Sequence, residues 1–116
     1  MLMREIIKRM LNSLFHGSPQ VYYGFSYATN ESEKVVFTLF DTEAKHQTTD
    51  YYEAGQVHIF IFAKKMDRVE SRAGIIKNVL DGQKYDKMFS FVYRAEIDDE
   101  TRDGYIKQLI YNYNYQ

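Results

Sequence analysis

Apolar and polar positions are most informative at residues 56–64, QVHIFIFAK. Val57, Ile59, Ile61 and Ala63 fall on one side of an extended chain, and His58, Phe60, Phe62 and Lys64 on the other. This predicts a β-strand with apolar residues on both faces. A helix covers one such face. Phe60 and Phe62 on the other need cover too, which in so small a chain is expected from another subunit.

The remaining elements follow from the same kind of pattern. Across 2–15, Met3, Ile7, Met10 and Leu14 recur at helical spacing, widened by Ile6 and Leu11, and Gly17, Ser18 and Pro19 end the stretch. A strand is expected at 20–27, a polar turn at 28–33 and a second strand at 34–41, together reading as a hairpin. Residues 42–55, TEAKHQTTDYYEAG, are polar and weakly periodic, and predict a long exposed loop with a functional role for Tyr51 and Tyr52. After the two-faced strand, a helix is expected to start at Asp67, whose carboxylate caps its first turn with Glu70 completing a box. Val69, Ala73, Ile76 and Leu80 form its buried stripe, and Gly82 suits a left-handed cap. Gly74, in mid-helix, costs about 1 kcal/mol relative to Ala.

A further strand at 87–96, an acidic turn at 97–104 and a last strand at 105–115 complete the chain. On that last strand Tyr105, Lys107, Leu109, Tyr111, Tyr113 and Tyr115 share one face. The predicted order is α-β-β-β-α-β-β. This is an α+β fold, a mostly antiparallel sheet of about five strands with two α-helices on one face, in a single domain over 1–116. Val57, Ile59, Ile61, Ile76 and Leu80 are its expected core. Phe60, Phe62, Tyr111 and Tyr113 are the expected subunit contacts, with the last two placed on a late edge strand.

Composition narrows the function. The length of 116 residues suits one domain. Fifteen Lys and Arg against sixteen Asp and Glu give a net charge of −1, which argues against a dedicated nucleic-acid binder. The absence of cysteine excludes disulfide scaffolds, thiolate zinc sites and cysteine nucleophiles. The first residues are too charged for a signal-peptide core, and no apolar run approaches the ~20 residues of a membrane span, so a soluble intracellular protein is expected. Eleven Tyr and eight Phe suit interfaces, and equally the filling of strands.

No catalytic constellation emerges. Asp99, Thr101, Asp103 and Gly104 imitate the start of a calcium loop, but its twelfth position is Ile110 instead of a bidentate Glu. Gly24 to Ala28 approximates a hydrolase nucleophile elbow without the helix that must follow. His16, His46 and His58 lack metal-ligand spacing, and the glycines form no phosphate loop. No enzyme activity, cofactor or metal is expected.

Four segments resemble the tail terminator proteins of long-tailed bacteriophages, also called tail completion or head–tail joining proteins. They are REIIKRMLNSLF, VYYGFSY, the run from Tyr51 to Tyr85, and KMFSFVYRAEI. The likeness is one of layout, with no exact motif, and the strand ends Ala63-Lys64-Lys65 where such proteins usually carry a tryptophan-containing turn. The resemblance implies a homo-oligomeric ring, commonly hexameric, in the virion at the head-proximal end of the tail. Such a ring stops tube growth and contacts the major tail tube protein and the head-completion connector. It needs no membrane and no specific nucleic acid, although DNA passes through its lumen. The alternatives are a small binding module using an aromatic sheet face, or another head–tail connector component.

Overall fold

The alternation at 56–64 governs the fold. In a computed structural model, which describes residues 3–25, 31–47, 50–81 and 89–115 and the side chains among these outside 41–52, the chain forms seven elements. They are α1 (Met3–Phe15), β1 (Gln20–Tyr23), β2 (Lys34–Gln47), β3 (Asp50–Ala63), α2 (Met66–Asp81), β4 (Phe89–Thr101) and β5 (Gly104–Tyr115). The predicted α-β-β-β-α-β-β order holds, and the strands make one sheet in the spatial order β1-β2-β3-β5-β4.

Val57, Ile59, Ile61 and Ala63 lie on the face beneath the helices and are fully or almost fully buried. Ile7, Met10 and Leu11 of α1 and Val69, Ala73, Ile76 and Leu80 of α2 meet them in one core. Left-handed backbone at His16 (φ 52°) and Gly17 (φ 84°) closes α1, with His16 N–H donating to Asn12 O at 2.9 Å. The second helix begins at Met66, not Asp67. Asp67 lies in its first turn, where its Oδ1 accepts from Arg68 N–H at 3.0 Å and its charge suits the positive helix end. The expected cap at Gly82 lies outside the described residues.

Four expectations are corrected. First, β1 and β2 do not form a hairpin: they run parallel, from Gln20 opposite Lys34 to Tyr23 opposite Phe37. The chain therefore has to return between them, and Phe25 takes part of that return across the face opposite the helices, against Phe60 and Phe62. Second, the described residues of 42–55 are strand, not loop. The ladder between β2 and β3 resumes past an irregularity at Phe40/Glu43 and runs on to Gln47 opposite Asp50. Once a buried segment has fixed the register, neighbouring polar residues join the ladder whatever their own propensity. Third, residues 97–101 continue β4 instead of forming an acidic turn, and Thr101 pairs with Gly104. Fourth, β5 is central, between β3 and β4, so Tyr111 and Tyr113 are not on an edge.

Candidate functional site

Because β5 is flanked on both sides and its tyrosines face the helices, Tyr111 and Tyr113 are only 0% and 1% exposed. Their hydroxyls reach the margin of the core: Tyr111 donates to Asp81 at the end of α2 (3.2 Å) and Tyr113 to Glu53 (3.4 Å). Burial, and then the neighbouring carboxylate, push both phenols above their ordinary values. Their role is to hold the layers together, and they leave the list of contact residues. Tyr51 and Tyr52 lie on β3, and their side chains fall outside the described residues.

Phe60 and Phe62 do point away from the helices, as the alternation requires. Phe25, itself half exposed at 51%, sets its ring edge-on to Phe60 (4.8 Å between centroids) and Phe62 (6.3 Å). Lys34 stands 4.9 Å over the Phe62 ring. Beyond this cluster the register places His58, Ile106, Ile110 and Val92 on the same face, and Ile97 after the bulge. The Phe40 ring leans on His58 at 4.5 Å, while His58 joins Gln56 (3.2 Å) and Gln108 (2.9 Å) through its two ring nitrogens. This open face is broad, aromatic and aliphatic, with a neutral amide network and few charges. That composition matches the centre of a protein interface.

A second group lies where α2 crosses β4 and β5. Lys107 points inward, 3% exposed, and pairs with Glu96 (2.6 Å), Glu70 (2.9 Å) and Asp98 (3.0 Å). Burial by itself would lower the Lys107 pKa, but the bonds to Glu96, Glu70 and Asp98 outweigh it and hold the ammonium above the usual lysine value. The bond from Lys107, followed by that from Lys77, brings Glu96 down to about 2, and the Tyr93 hydroxyl adds a third at 3.0 Å. Every charge in the group has a partner, so it acts as a clamp between α2, β4 and β5. A charged residue among Tyr105, Leu109 and Tyr111 on one strand face was the sequence signal for it. Phe25 had no such signal, since its partners are distant in the chain.

The third feature is a cleft of about 390 Å³ between α1 and the edge strand β1, lined by Arg4, Glu5, Lys8, Tyr22 and Tyr23. Arg4 lies 5.6 Å from the Tyr23 ring centre. Among the described residues there is no group of three or more His, Asp or Glu placed to hold a metal, and no helix long and apolar enough to cross a membrane. No family model matches this chain, and no curated protein matches its sequence.

Proposed function

We propose that this chain is a structural virion protein of the tail-terminator kind, whose copies close into a ring that caps the tail tube, stops its growth and offers the surface to which the head connector docks. The observation that carries this reading is the open sheet face. Among the described residues Phe25 packs on Phe60 and Phe62 and Lys34 on Phe62, leaving both rings partly exposed, and Phe40, Val92 and Ile97 are 46%, 53% and 51% exposed. Leaving so much apolar surface in water forfeits roughly 1.5–3 kcal/mol for each large side chain that a neighbour could bury. Repetition of one heterologous contact around a closed ring covers such surface on every copy at once. The resemblance in layout supplies the tail as the place, with the tube protein and the head connector as the other partners.

Light scattering and negative-stain microscopy of the purified protein test the reading. Concentration-dependent rings of several copies are expected, and a strict monomer would favour a ligand-binding module instead. Phe60→Glu should reduce assembly while circular dichroism stays unchanged, because the core beneath the helices does not use Phe60. Loss of the folded signal in that variant would make the open face part of the monomer's own core and remove the argument.

A further inference from the structure

We infer that the joint between neighbouring copies runs edge to edge: the outer side of β4 on one copy seats in the α1–β1 cleft of the next. This rests on the ring reading only for closure of the assembly. The two surfaces lie at opposite ends of the sheet, as a head-to-tail contact requires. They also share a row, since the register runs from Tyr23 through Phe37, Ile59 and Leu109 to Glu96. Setting a second sheet beside the first in its plane therefore brings the cleft tyrosines to the level of Ile97.

The chemistry is complementary. The outer strand carries Val92 (53% exposed), Tyr93 (42%) and Ile97 (51%), followed by exposed Asp98, Asp99 and Glu100. The cleft offers the rings of Tyr22 and Tyr23 with Arg4 and Lys8 one helical turn apart, and Glu5 between them. Arg9 extends the exposed basic side of α1. Extended strand-to-strand pairing is disfavoured, because β4 is bulged between Tyr93 and Ala95 and β1 has only four residues. Side chains must then make most of the contact, and through Val92 and Ile97 the open face runs into the joint.

A charge exchange tests this on the full chain, read by sedimentation or light scattering over a concentration series. Lys8→Glu and Glu100→Lys, both on the helix side of the sheet, should each weaken self-association about tenfold, and the double variant should recover most of the loss. Ile97→Asp should weaken it by a similar factor with unchanged circular dichroism. Single variants that assemble like the parent, or a double variant no better than the worse single, overturn the joint even if rings form. Open chains that respond to the charge exchange support the joint and overturn ring closure. A parent protein that stays monomeric at every concentration overturns both.

Discussion

Glu96 ties three groups to one carboxylate, and its titration should be visible in the stability of the whole domain. Its folded pKa, about 2, lies below the ordinary value of 4.5, so the stabilisation it brings is complete above 4.5 and fades as pH falls toward 2. Lys107 is shifted upward, so its share is complete below the ordinary lysine value and is lost only as pH rises through the higher folded one. Urea midpoints should therefore be flat near neutrality and drop below about pH 4.5. Glu96→Gln should reduce that acid-side slope and lower the neutral midpoint by the equivalent of about 1.5–3 kcal/mol, the range for hydrogen bonds to charged groups. An unchanged slope in the variant would show that other carboxylates carry the acid response. Two glycines give opposite expectations. A Cβ at Gly74 meets nothing within 4 Å, so Gly74→Ala should stabilise the monomer by up to about 1 kcal/mol, read as a higher melting temperature. A Cβ at Gly104 would come within 2.3 Å of Ala63 O, a backbone atom that cannot swing away, so Gly104→Ala should lower it.

The second helix is the element on which the sheet most depends. Its stripe packs on β3 and β5, Tyr111 holds its last turn through Asp81, and Lys77 and Glu70 join it to the Glu96–Lys107 group. At its start, Glu33 accepts from Lys64 N–H at 3.0 Å and pairs with Arg68 (3.2 Å) and Arg72 (2.8 Å). Burial raises the Glu33 pKa, but the Lys64 N–H bond and the two arginines prevail and leave it lowered. Leu80 is 1% exposed in this packing, so Leu80→Ala should cost about 2–5 kcal/mol. A denaturant midpoint equal to that of the parent would rule out the helix-on-sheet packing described here.

For the molecule as a whole, extents of 51 × 28 × 25 Å describe an elongated two-layer body, helices on one side and the open face on the other. The proposed assembly through oppositely charged edges should weaken with salt, since at 1 M ionic strength charges are screened within about 3 Å. Raising sodium chloride from 0.1 to 1 M should therefore shift the light-scattering mass toward monomer. A salt-independent mass would assign assembly to the open apolar face alone.

Much of this architecture was already written in local patterns. Period-two alternation fixed both faces of β3 and β5, and the stripes of α1 and α2 fixed what each helix buries, because these depend only on side-chain direction along a regular backbone. The two-faced strand likewise told that a second surface would need cover. Tertiary structure alone decided which strands are neighbours. Parallel pairing of β1 with β2 and the central place of β5 depend on contacts between distant segments, and they turned Tyr111 and Tyr113 from expected contact residues into core. The continuation of β2 and β3 through polar sequence depended on a register set elsewhere. The Phe25 cover of Phe60 and the gathering of Glu70, Glu96 and Asp98 around Lys107 exist only once the chain has folded, since no local period brings such residues together.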